Sequence, residues 1–98
     1  MVSTGKANFK KLIQEEKWDD YLNCSASLTG FVGAFPERAI EFQDLIVPLI
    51  KVCSDKTDRI RKNSAVLLAK LAMNEDNKKV MQANHGTEVL CSLQGSLI

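Results

Sequence analysis

Few residues of this chain have the side chains and the spacing that chemistry would need. The single histidine, His85, lies before Gly86, and Cys91 follows in the same stretch. An imidazole and a thiol act as base and nucleophile when a third group orients the imidazole, and no such group is evident here. The motifs CxxC, HExxH and GxSxG, the P-loop and GxGxxG are all missing from the sequence. We therefore predict a protein that is not an enzyme, with no catalytic residue, no metal and no cofactor.

The three cysteines, Cys24, Cys53 and Cys91, stand at wide spacings within apolar patterns. A free cysteine in such a pattern behaves as a small buried hydrophobe. The N-terminus also lacks the apolar region of a signal peptide. These observations predict a reducing, cytoplasmic environment.

The charged residues limit the kinds of partner. Thirteen basic against twelve acidic residues leave a net charge of +1, whereas nucleic-acid-binding domains usually have a basic excess or stripe. No apolar run reaches the roughly 18–20 residues that span a bilayer. We therefore predict no nucleic acid partner and no membrane insertion. The carboxylates of Glu15, Glu16, Asp19 and Asp20 flank Trp18 and could hold a cation or a basic partner, but we interpret them as a solvated helix end.

Apolar residues at helical spacing predict the secondary structure. The clearest helical pattern covers residues 58–74. The run LIVPLIKVC (45–53) is also predicted to be a helix; its β-branched residues make a strand the competing interpretation, but Pro48 argues against a central strand. Residues 1–6 are small and polar, and we predict that they are disordered and that the first helix begins at Ala7.

Capping residues and glycines suggest how the helices end and pack. Asp44 is placed to cap the helix that follows it. Gly30 and Gly33 are poor helix formers, so their expected use is the close approach of a neighbouring helix. Gly86 is expected to accept the left-handed conformation that ends many helices.

The helical pattern repeats along the chain. Ala26 matches Ala65 at a spacing of 39 residues (65 − 26 = 39), and Val52 matches Leu93 at a spacing of 41 (93 − 52 = 41). A period near forty in an apolar helical pattern indicates a solenoid, in which each unit buries its apolar face against its neighbour.

Three segments of the later unit resemble the armadillo repeat family: NSAVLLAKLA (63–72), NKKVMQA (77–83) and NHGTEVLCSL (84–93). Gly86 matches the glycine between the first and second helices of that family, whereas Gln43 and Asp44 stand where the earlier unit should have it. HEAT-type repeats could produce a similar pattern. The resemblance covers roughly residues 20–97 and implies an all-α fold, a right-handed α-solenoid fragment of about two repeats and six helices.

The resemblance also implies a domain organisation. Residues 7–98 would form a single armadillo-like helical domain. Because solenoids usually need three or more repeats, we expect this domain to be part of a longer repeat array.

The implied function is a non-enzymatic protein–protein interaction module of a scaffold or adaptor. In the armadillo family the third helices line a groove that binds extended partner segments. Peptide-binding members of the family have an asparagine and a tryptophan in this groove. The asparagine position matches Lys70 and Phe31 here, and the tryptophan position matches Val66 and Ser27. These departures argue against binding of nuclear localisation signals, and a groove lined by Lys and Arg would prefer an acidic segment. An ordinary solvated helix face is the other interpretation. The predicted partner-binding residues are Ser27, Phe31, Arg59, Lys62, Val66 and Lys70.

A second hypothesis is structural. The chain stops after the second helix of a unit, where a third helix should follow, so that end would be covered by dimerisation. The predicted self-association residues are Val89, Leu90, Leu93 and Leu97.

Overall fold

The computed structural model describes residues 2–55, 58–86 and 88 of the 98-residue chain. In this part of the chain there are five α-helices and no strand: α1 (Val2–Gln14), α2 (Trp18–Ala34), α3 (Ile46–Asp55), α4 (Asp58–Leu71) and α5 (Glu75–Ala83). A 3₁₀-helical segment, Pro36–Leu45, connects α2 to α3. The predicted all-α class is therefore confirmed. The helix predicted after Gly86 lies outside the described residues, so the count of six helices stays a prediction.

The first helix begins earlier than its sequence suggests. α1 starts at Val2 rather than at Ala7, and the segment predicted to be disordered is helical from Val2 onward. An ion-pair cluster holds this end of the helix, because Lys6 Nζ and Lys10 Nζ lie 3.3 and 2.6 Å from the two carboxylate oxygens of Asp44.

Asp44 does not act as the cap that its position in the sequence predicted. It lies within the 3₁₀ segment, and its carboxylate accepts the lysines of α1. Partial burial alone would raise its pKa, but the hydrogen bonds from Lys10 and Lys6 outweigh burial and lower the pKa below its usual value. The charge of Asp44 therefore joins α1 to the 3₁₀ segment.

The turn between α1 and α2 is a left-handed helix end. Glu16 has φ of 56°, its N–H donates to the carbonyl of Ile13, and the N–H of Lys17 donates to the carbonyl of Leu12. This hydrogen-bond pair is the Schellman arrangement, in which glycine is the usual residue at the left-handed position. It sets the direction in which α2 leaves α1.

Aromatic rings fix the contact between α1 and the start of α2. The rings of Phe9 and Tyr21 are stacked with centroids 4.9 Å apart, and the ring of Trp18 meets that of Tyr21 edge-on at 5.2 Å. Both Phe9 and Tyr21 are fully buried.

The core lies where α4 packs against both α2 and α3. The hydroxyls of Tyr21 in α2 and Ser64 in α4 form a buried hydrogen bond. Because the Ser64 hydroxyl donates to the carbonyl of Ile60 at 2.8 Å, Tyr21 is the donor in that bond. Burial raises the pKa of Tyr21 to about 12, so the bond persists at all ordinary pH values.

The run LIVPLIKVC forms a helix, as predicted, rather than a strand. α3 begins at Ile46, which puts Pro48 in the first turn, where a backbone N–H has no partner within the helix. Leu49 is fully buried, whereas half of the Val47 surface is exposed.

Three pairs of buried side chains are separated by 39 residues, although in the pair that the sequence matched at this spacing Ala26 is exposed and Ala65 is buried. Ser25 and Ser64, 39 residues apart (64 − 25 = 39), are both buried. Their hydroxyls donate to the carbonyls of Leu22 and Ile60, each within its own helix. The same spacing separates two further pairs of buried side chains: Val32 and Leu71, and Phe42 and Met81.

The glycines serve other purposes than expected. A Cβ added at Gly30 or Gly33 would meet nothing within 4 Å, so neither residue permits a close helix contact. A Cβ at Gly86 would lie 2.4 Å from Met81 Cγ and 2.9 Å from Ile50 Cδ1. The left-handed residue at the end of α5 is His85, with φ of 61°. Gly86 is thus required for close packing, and not for a left-handed backbone.

Candidate functional site

The predicted partner-binding residues lie on two neighbouring helices. Ser27 and Phe31 belong to α2, and Arg59, Lys62, Val66 and Lys70 belong to α4. α2 and α4 pack against each other along their length. All six residues except Phe31 are exposed.

The residues on α2 already have contacts within the chain. The half-buried ring of Phe31 lies 5.2 Å from the ring of Phe35 and 5.8 Å from that of Phe42. The guanidinium of Arg38 lies 5.2 Å from the centre of the Phe31 ring, within the range of a cation–π interaction. The Ser27 hydroxyl donates to a carbonyl of its own helix at 3.2 Å. These two side chains therefore give a partner less free surface than the residues on α4.

The residues on α4 form an exposed stripe. Lys62, Val66 and Lys70 follow one another at intervals of four residues, so they share one side of the helix. Among the side chains that the structure describes, no carboxylate forms an ion pair with Lys62 or Lys70. By contrast, Arg61 pairs with Asp58, and this hydrogen bond lowers the pKa of the Asp58 carboxyl. The stripe thus offers two lysines and a half-exposed valine to a partner.

A groove lies at the C-terminal ends of α2 and α4, beside the start of α5. We call it the C-terminal groove; its volume is about 510 Å³, and its walls are Val32, Gly33, Pro36, Glu37, Lys70, Met73, Asn74, Glu75 and Asp76. Lys70 joins this groove to the stripe on α4. Met73 is 75% exposed.

The charge of the C-terminal groove differs from the basic groove that the sequence predicted. Three carboxylates, those of Glu37, Glu75 and Asp76, surround it with one lysine, Lys70. Little in the sequence singled out these three carboxylates, because acidic residues are common at helix starts. The repeat contained a signal, since Glu37 and Asp76 are separated by the same 39 residues (76 − 37 = 39).

A second groove, of about 460 Å³, lies between the end of α1, the start of α2 and α3. Its walls are Ile13, Gln14, Glu16, Trp18, Val47, Pro48, Lys51 and Val52. None of the residues predicted for partner binding lines this groove. The predicted self-association residues, Val89, Leu90, Leu93 and Leu97, lie outside the described residues.

Of the candidate reactive residues, the structure describes His85, Cys24 and Cys53. His85 is exposed, and its Nδ1 lies 3.4 Å from a carboxylate oxygen of Glu88; its conceivable partner Cys91 lies outside the described residues. Burial raises the pKa of Cys53 to about 11 and also raises that of Cys24, so both stay thiols at neutral pH.

The acidic residues around Trp18 do not gather into a cation site. Glu15 lies 3.8 Å from Lys11 Nζ and 3.2 Å from Lys17 Nζ. Asp19 and Asp20 belong to the first turn of α2, where negative charge suits the helix dipole. Within the described part of the chain, no three His, Cys, Asp or Glu side chains are grouped to hold a metal ion.

In the part of the chain that the structure describes, the fold is all-α and its surface carries the two grooves named above. Comparisons with protein-family models, with curated proteins and with solved structures find no match for this chain. In the described residues, no helix has both the length and the apolar character that crossing a membrane requires.

Proposed function

We propose that this chain is a non-enzymatic protein-interaction module built from armadillo-type repeats, and that it binds an extended segment of another protein on the face formed by α2 and α4. In this proposal α2 and α4 are the third helices of successive repeats. A reducing, cytoplasmic setting is part of the proposal, because Cys24 and Cys53 are free thiols.

The arrangement of the helices supports the repeat. α2 packs on the preceding α1, α4 packs on the preceding α3, and α2 packs beside α4. This is the order of contacts expected when two helical units stack side by side. The recurrence of buried Ser25 at Ser64 supports the same alignment.

The observation that carries the binding proposal is the stripe of exposed residues on α4. Lys62 and Lys70 stand on either side of Val66, whose side chain is 51% exposed. A partner that covers the valine would bring its own side chains within reach of both lysines. Acidic side chains at these places would gain two charge-assisted hydrogen bonds, and their attraction would weaken with added salt.

Charge reversal tests the proposal. We expect Lys62→Glu with Lys70→Glu to lower the affinity for an acidic peptide by about tenfold or more, because like charges placed across an interface repel. The peptide is selected from a random library displayed on phage against the unmodified chain, and its affinity is measured by fluorescence anisotropy. Circular dichroism checks that the double variant keeps its helices.

The matched control is Lys78→Glu with Lys79→Glu, which makes the same change of net charge at two exposed lysines of α5. This control should keep the affinity within about threefold of the unmodified chain. Lys78 and Lys79 lie outside the stripe on α4, and charges at the edge of an interface act mainly on the association rate. If no acidic peptide is selected, or if both double variants bind it equally, the stripe on α4 is not the binding site.

A further inference from the structure

The C-terminal groove combines an apolar floor with an acidic rim. Val32, Pro36 and Met73 supply apolar surface, and Gly33 leaves the floor without a side chain. Met73 is the most exposed of the large hydrophobic side chains that the structure describes, at 75%. Methionine is flexible and polarizable, and such residues are common at surfaces that bind apolar side chains of varied shape.

Within the part of the chain that the structure describes, the carboxylates of the rim form no close ion pair, although Arg38 interacts electrostatically with Glu37. Among the described side chains, no lysine or arginine forms an ion pair with Glu37, Glu75 or Asp76. Lys70 is the single cation in the wall and stands at the side that meets the stripe on α4. The groove therefore has a net negative charge, in contrast to the basic residues along α4.

We propose that the C-terminal groove binds a part of the partner segment in which an apolar residue is flanked by lysine or arginine. This inference rests on the proposed function, because the ligand is again a segment of another protein. The apolar side chain packs on Val32, Pro36 and Met73, and the flanking cations face Glu37, Glu75 and Asp76.

The two regions together give the partner a direction. Arg59 and Lys62 lie in the first half of α4, and the acidic rim lies beyond its C-terminal end. The bound segment carries its acidic residues toward the start of α4 and its basic and apolar residues at the C-terminal groove. A segment with the opposite order would meet like charges at both ends, which excludes it by repulsion.

Gly33 allows the groove to be filled without disturbing the core. Because a Cβ at Gly33 meets nothing within 4 Å, Gly33→Trp places an indole in the groove from an exposed position. Gly30→Trp is the matched control, since Gly30 is equally open but does not line the groove. A second variant, Glu37→Gln with Glu75→Gln and Asp76→Asn, removes the rim charges and keeps side-chain size.

The experiment is a selection from a random peptide library displayed on phage, carried out with the unmodified chain and repeated with each variant. We expect the unmodified chain to enrich peptides that hold an acidic part and, separately, an apolar residue next to Lys or Arg. The enriched peptides are then synthesised, and their affinities are measured by fluorescence anisotropy. Compared with the unmodified chain, Gly33→Trp and the variant without rim charges should bind them about tenfold more weakly, and Gly30→Trp should bind them with unchanged affinity.

The outcomes separate this inference from the proposed function. If only acidic peptides are enriched, and they respond to Lys62→Glu with Lys70→Glu but not to Gly33→Trp, the proposed function stands and this inference is overturned. Peptides that are basic and apolar, bind Gly33→Trp more weakly and are not weakened by Lys62→Glu with Lys70→Glu would uphold the C-terminal groove and overturn the acidic partner. If no peptide is enriched, or if the selected peptides bind every variant equally, both are overturned.

Discussion

At the scale of single residues, the buried amide of Asn77 connects three parts of the fold. Its side-chain Nδ2 donates to the carbonyls of Ala39 and Leu71 at 2.9 and 3.0 Å, and its backbone N–H donates to the side chain of Asn74, the cap of α5. In the sequence, Asn77 stood out only as the first residue of NKKVMQA (77–83), a segment that resembles the armadillo family. The sequence could not indicate the burial, because a polar residue near a helix start is usually solvated and its partners are distant in sequence.

We predict that Asn77→Ala lowers the free energy of unfolding by about 2–4 kcal/mol, because two buried carbonyls lose their donor. Denaturation by urea, followed by circular dichroism, measures the change. The control is Asn84→Ala, which deletes an exposed amide that donates to the carbonyl of Val80 and should cost about 0.5 kcal/mol or less. Equal costs for the two variants would contradict the role assigned to Asn77.

At the scale of elements, sequence patterns located the helices well and their contacts poorly. The long helix of residues 58–71 follows from apolar spacing, whereas the helix at LIVPLIKVC also needed Pro48 to argue against a strand. The early start of α1 depends on Lys6 reaching Asp44, and the tight packing at Gly86 depends on Ile50 of another helix. Both are tertiary contacts, which local propensity does not encode.

The contrast between Gly86 and Gly30 gives a second prediction. Gly86→Ala should lower the free energy of unfolding by about 1–3 kcal/mol, because the new methyl group overlaps Met81 and Ile50. Gly30→Ala should raise it by up to about 1 kcal/mol, since alanine has the better helix propensity and the site is open. Thermal melts of the two variants show whether each substitution stabilises or destabilises the fold. A stabilising Gly86→Ala would show that α3 does not pack against this position.

At the scale of the whole molecule, the repeat stays a prediction, because buried Ser25 and Ser64 share its 39-residue spacing whereas Ala26 is exposed and its predicted match Ala65 is buried. The acidic rim of the C-terminal groove was not predicted. It forms only when Glu37, in the first turn of the 3₁₀ segment, and Asp76, at the start of α5, come to the same groove. Charge in a groove is thus a property of the assembled fold, even when each charge is plain in the sequence.

The buried Tyr21 and Cys53 predict how stability depends on pH. Burial raises their pKa values from 10.0 to about 12 and from 9.0 to about 11. The unfolded chain therefore loses these protons at lower pH than the folded chain does. The stabilisation is complete below about pH 9 and is lost as the pH rises toward 11 and 12.

Urea titrations at a series of pH values should therefore show the free energy of unfolding falling above about pH 9. Because the chain has one tyrosine, its ultraviolet absorbance follows Tyr21 alone, with a pKa of about 12 in the folded protein. The control is the same titration in urea, which should give the ordinary value of 10.0. A native titration near that ordinary value would mean that the hydroxyl is open to solvent.

The edge-on contact of Trp18 with Tyr21 gives the folded chain an optical signature. These are its one tryptophan and its one tyrosine, and their ring centroids are 5.2 Å apart. Light absorbed by the phenol is passed to the indole at such a separation, so the folded chain emits as if tyrosine were absent. Both rings belong to α2, three residues apart, so this transfer does not depend on the position of α1. The protein therefore emits as a tryptophan protein whichever of the two rings absorbs, and neither ring lines the C-terminal groove.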